Sequence, residues 1–131
     1  MATSNLGRKT IEIVNGLDDI IIVNALGDVP GGRALDVSGL PDDQDVVYAG
    51  HVIVKTAAGE YKPLGISSGA YAAIASGEKA VGILKASVLK SDPRAAIVTI
   101  GQINASAAKT AVGAPYTDAI KTALPHIEFI N

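Results

Sequence analysis

Residues 80–103 read AVGILKASVLKSDPRAAIVTIGQI. Two apolar runs flank a short polar break. Ala80–Leu89 reads as one strand and Ala95–Ile103 as its partner, because Val and Ile fit a pleated surface. Between them, Lys90-Ser91-Asp92-Pro93 carries turn chemistry, with proline suited to an early turn position. This hairpin sets a β expectation for the whole chain. Gly82 and Gly101 lie inside the two strands, where glycine marks a bulge or a close approach of backbones.

The same logic extends upstream. Val46–Thr56 reads as a strand, with His51, Ile53 and Lys55 on one face and Val52, Val54 and Thr56 on the other. Ala57-Ala58-Gly59 is a turn, and Glu60–Leu64 returns as a second strand. His51 and Lys55 are expected to face solvent or a neighbour. Residues 9–14 (KTIEIV) alternate, with Ile11 and Ile13 on one face. Residues 19–24 (DIIIVN) are β-branched and uninterrupted, the pattern of a strand buried on both faces. Residues 25–45 are rich in Gly, Pro and Asp, and only Ala34–Val37 suits a short strand. A loop of that length usually has a job or a partner surface.

Downstream, residues 65–79 are small and turn-rich, with one helical turn expected around Ala70–Ile74. Residues 104–115 read as a loop or a weak helix. Thr117 has the chemistry of an N-cap, Ile120 and Leu124 share one helical face, and Pro125 stops the helix. His126–Ile130 reads as a closing strand. The expected fold is mainly β: a small β-sandwich or barrel-like domain over residues 11–131, with one short C-terminal helix. Residues 1–10 read as a flexible N-terminal arm.

Composition narrows the function. Of 131 residues, 48% are hydrophobic and 18% charged, which is light against roughly 25% charged in average domains. No apolar run approaches the ~18–20 residues of a membrane-spanning helix. An apolar, charge-poor chain of this kind is expected to bury surface in a subunit interface. Net charge is −2 and the bases are scattered, so no nucleic-acid footprint is expected. There is no cysteine, which excludes disulfides and thiolate chemistry. The N-terminus has no secretory h-region, so the protein is expected to be made and used without export by that route.

The search for catalytic groups finds weak candidates. His51 and His126 with Glu60 or Glu128 lack metal-ligand spacing. Ser67-Ser68-Gly69 lacks a nucleophile elbow, and Ser68 reads as a turn residue. Val29-Pro30-Gly31-Gly32-Arg33 offers backbone amides to an anion but matches no phosphate motif. Asp42, Asp43 and Asp45 lack the spacing of a calcium loop. Tyr48, Tyr61, Tyr71 and Tyr116 are expected at core edges or interfaces with wet hydroxyls. No catalytic, cofactor-binding or metal-binding residue is expected, and the chain is not read as an enzyme.

Three stretches, in order, carry a resemblance. They are GGRALDVSG (31–39) with YAGHVIVK (48–55), VGILKASVLKSDPRAAIVTIGQIN (81–104), and PYTDAIKTALPHIEFIN (115–131). Together they resemble head fibre and head decoration proteins of tailed phages. The resemblance implies a β-rich trimer on the outer capsid surface, assembled in the host cytoplasm, with the major capsid protein as partner. A further fibre protein or a host surface glycan is a second possible partner, and no nucleic acid or membrane is implied. In that setting Leu6, Arg8, Lys9, Ile11, Ile13 and Arg33 are the candidate capsid contacts, since an N-terminal arm suits pairing with a neighbouring sheet edge. The competing readings are a tail or neck component, or a small β-barrel that binds a ligand or glycan.

Overall fold

A computed structural model describes residues 18–130. The strands run in chain order as β1 (Ile22–Asp28), β2 (Arg33–Ala34), β3 (Val46–Val47), β4 (Val52–Lys55), β5 (Tyr61–Pro63), β6 (Ile66–Ser67), β7 (Ala70–Tyr71), β8 (Lys79–Leu84), β9 (Val88–Leu89), β10 (Arg94–Ala95), β11 (Ile97–Asn104) and β12 (Ile127–Ile130). Three short helices accompany them: α1 (Asp18–Ile21), α2 (Ala105–Val112) and α3 (Asp118–Ala123). The fold is mainly β, as the sequence implies.

The main sheet has six strands in the order β1-β11-β8-β4-β5, with β12 parallel to β11. β11 organises it. β1 runs along one side, while the other side is shared by β8 at Ile97–Val98 and β12 at Gly101–Asn104. The hairpin of residues 80–103 is therefore present at its base, where Leu84 faces Ile97. Its tip closes as expected over the Lys90-Ser91 turn, where the Asp92 N–H donates to Leu89 O at 3.0 Å, while β9 also pairs with β3 and β10 with β2. A methyl on Gly82 would strike the carbonyl oxygen of Val98, and one on Gly101 that of Asn24. Both glycines are there because two backbones approach too closely for a side chain.

The central strands are buried on both faces. Val52 and Val54 of β4 and Ile83 of β8 enter one core, with Tyr71, Tyr116, Ile120 and Ile127. Ile53 and Leu84 enter the other, with Leu35, Val47 and Ala95. Each fully buried side chain of this size contributes ~1.5–3 kcal/mol. Helices α2 and α3 cover the first face. The Gly/Pro-rich segment after β1 covers the second, which answers what that long loop does: Leu35 is buried, and its N–H donates to Pro93 O at 2.9 Å.

Residues 19–24 correct the expectation of a doubly buried strand. Asp18–Ile21 form a turn of helix and β1 is a sheet edge with an exposed surface. The β-branched run looks like a central strand because periodicity cannot say where a strand lies in its sheet. Residues 65–79 also differ from expectation. In place of a helical turn, β6 and β7 form a hairpin whose two-residue loop, Ser68-Gly69, has φ of 53° and 74°. Two positive φ values are the geometry of the tight hairpin turn.

Residues 105–112 form a second helix beside the expected one. Asn104 Oδ1 accepts from the Ala107 N–H at 3.1 Å, and Gly113 ends the helix at φ 88°. Thr117 caps α3 as expected, its hydroxyl oxygen accepting from the Ile120 N–H at 3.3 Å.

Candidate functional site

Of the polar groups that invite a catalytic reading, His51 belongs to the core, while Glu60, Ser68, His126 and Glu128 are exposed. His51 is 4% exposed, contrary to the expectation that it faces solvent or a neighbour. The strand expected over Val46–Thr56 is interrupted between β3 and β4, so His51 does not continue the alternation of Ile53 and Lys55. Its Nε2–H donates to Leu64 O at 2.7 Å. Burial pushes its pKa below the ordinary imidazole value, partly offset by that bond. Lys55 does lie on the surface, with its ammonium 5.6 Å from the centroid of Tyr61.

A row of rings continues from His51. Tyr71 meets it edge-on with centroids 5.5 Å apart, Tyr116 stacks on Tyr71 at 6.2 Å, and Phe129 tilts against Tyr116 at 4.7 Å. The hydroxyls of Tyr71 and Tyr116 are not wet. Tyr71 Oη accepts from the Val52 N–H at 3.3 Å, and the Tyr116 hydroxyl donates to Gly50 O at 2.5 Å. Burial raises both phenol pKa values. This row ties β4, β7, β12 and the segment before α3 into one core. No group of three or more His, Cys, Asp or Glu side chains with metal-binding geometry occurs among the described residues.

The surface offers a clearer signal on β1. Register shifts leave Val23 and Leu26 opposite no residue of β11. Bulges of this kind re-aim side chains. Here they turn two large apolar groups outward: Val23 is 50% exposed and Leu26 71%. Ile20, just before the strand, and Ile100, on β11, are 52% and 45% exposed. β1 is also an outer strand, and its seven residues IVNALGD include no lysine or proline. Natural edge strands are normally protected by such residues, and among the described residues no strand pairs with the outer side of β1.

Of the sequence-predicted contacts, Leu6, Arg8, Lys9, Ile11 and Ile13 lie outside the described residues. They belong to the segment that leads into α1 and β1. Arg33 lies elsewhere, on the β2–β10 pair. Its Nη1 donates to Pro30 O at 3.0 Å and Gly32 O at 2.7 Å, closing its own turn. Its guanidinium also lies 5.5 Å from the Tyr61 centroid. The anion-cradle reading of Val29–Arg33 thus meets a side chain already engaged with local carbonyls. Sequence reasoning missed Val23, Leu26 and Ile100, because apolar residues in strands are read as core.

No family model matches the chain, and no curated protein or solved structure matches it.

Proposed function

We propose that this protein is a non-catalytic structural component of a virion, bound to the outer surface of a tailed-phage capsid as a decoration or head-fibre protein. The motif resemblance over residues 31–131 motivates the reading. The observation that carries it is the exposure of Val23 and Leu26 on the edge strand β1, with Ile100 exposed on the adjoining β11. Such a surface suits burial against other subunits more than exposure to water.

The mechanism is attachment by many weak contacts. A sheet edge offers backbone N–H and C=O groups to an added strand, and apolar side chains beside it add burial. Presented on an oligomer, several such edges engage a symmetric lattice together, so modest single contacts sum to firm attachment. In this reading the protein bridges and stabilises the major capsid subunits.

Two measurements test it. Light scattering on the purified protein should give a mass three times the 13.3 kDa chain. Added to capsids assembled without it, the protein should bind the outer surface saturably and raise their melting temperature. Failure to bind such capsids at any concentration sinks the reading.

A further inference from the structure

Beneath the segment Gly39–Tyr48 lies a cavity of about 230 Å³ that the capsid reading leaves unused. Leu40, Pro41, Leu64 and Val112 give it apolar walls, and Gln44, Tyr48 and His51 supply its polar groups. A methyl built on Gly39 or Gly65 at its rim meets no atom within 4 Å, so the rim is open. A larger groove of about 570 Å³ shares Pro41, Gln44 and Tyr48 with it and adds Asp43 and Asp45. The mouth is therefore acidic. Of the ammonium groups near this segment, Lys90 Nζ donates to Pro41 O at 3.2 Å, and Lys62 Nζ, beside the Gly39–Leu40 and Gly65 rim, is paired with Glu78 at 2.8 Å.

The hydrogen bonds inside the cavity decide what it can take. Since Leu64 O can only accept, His51 Nε2 must carry the proton. The neutral ring then keeps a lone pair on Nδ1, and no described residue donates to it. The Gln44 amide nitrogen donates to Val46 O at 3.0 Å, which leaves its Oε1 as an acceptor. The half-buried Tyr48 hydroxyl bonds to no described residue. A nearly buried imidazole acceptor, an amide oxygen and a phenol thus share one space, with carboxylates outside. The ligand must bring donors, positive charge and a methylene stem.

We propose that this cavity receives an arginine side chain of a partner protein. The stem lies along Leu40, Pro41, Leu64 and Val112. The guanidinium meets Gln44 Oε1, Tyr48 and His51 Nδ1, with Asp43 and Asp45 at the mouth. The space is smaller than the ~300–1,000 Å³ of common small-molecule pockets and suits one long side chain. Arginine fits better than lysine, because its planar group spreads five N–H donors, stacks on aromatic rings and is more weakly hydrated. The site does not depend on the capsid reading, since a free probe tests it on the isolated protein.

The full chain, labelled with ¹⁵N, is titrated with Nα-acetyl-arginine-N-methylamide and with the norleucine analogue. The arginine probe should give saturable shifts confined to residues 39–48, His51, residues 64–66 and Val112, with Kd on the order of 1–10 mM, as expected for a single side chain. The His51 Nδ1 resonance should move with them. The norleucine probe should bind at least about tenfold more weakly. Asp43→Asn/Asp45→Asn, on the surface, should weaken the arginine probe about fivefold. Gly65→Leu should abolish the shifts with an unchanged Tm. Equal binding of the two probes would leave an apolar cavity without the assigned chemistry. Absent or misplaced shifts would overturn the site altogether.

Discussion

The apolar edge makes the sharpest prediction. In Val23→Ala/Leu26→Ala the strand backbone stays while the two outward side chains shrink. Full burial of a Val or Leu side chain contributes ~1.5–3 kcal/mol. Leu26 is 71% exposed and Val23 50%, so a partner that covers them gains those fractions. That amounts to about 1–2 kcal/mol at Leu26 and about 1 kcal/mol at Val23. Alanine retains part of it, so the expected loss is about 2 kcal/mol per protomer, a Kd roughly 30-fold weaker. Folding should hardly notice, because exposed substitutions usually stay within about 0.5 kcal/mol each. The assay is binding of labelled protein to capsids lacking it, with urea unfolding of the same variant in parallel. A Kd within about threefold of the parent would refute the assignment of this edge to the capsid. A fall in stability above about 1 kcal/mol would show instead that the protein's own chain covers the patch.

Other expectations follow from the core. The folded pKa of His51 lies below its unfolded value of about 6.5, so the unfolded chain takes up the proton first. Stability should be full above about pH 6.5 and fall as pH drops from there toward the folded pKa; an unfolding midpoint that does not move between about pH 7 and pH 5 would refute a buried neutral imidazole. Tyr116→Phe removes the donor to Gly50 O and should cost about 1–3 kcal/mol by chemical denaturation. Gly82→Ala should cost about 1–3 kcal/mol, because its methyl meets the Val98 carbonyl, while Gly65→Ala, in open space, should cost far less. Asn104→Ala should cost about 1 kcal/mol through loss of the α2 cap, read from the same denaturation curves.

Local chemistry was legible residue by residue. Thr117 and Pro125 bracket α3 because a hydroxyl caps free N–H groups and a proline cannot continue a helix. Ala57-Ala58-Gly59 turns between β4 and β5, and Gly82 and Gly101 mark close backbone approaches. Helix α2 was harder to see, since ASAAKTAV is built of small residues with no strong apolar stripe. The candidate surface was illegible for a related reason. Val23 and Leu26 face outward only because two bulges shift β1 against β11, and nothing local to IVNALGD announces them.

The sequence by itself determined the β class, the turn at residues 57–59, the Thr117 cap and the glycine contacts, since each depends on a residue's own backbone preferences and near neighbours. Only the tertiary structure decided that β4 and β8 are central and β1 an edge, and that His51 is buried against Leu64 O and Tyr71. The physical reason is that burial and strand position arise from long-range pairing. An apolar strand reads the same in sequence whether its two faces meet other layers or water.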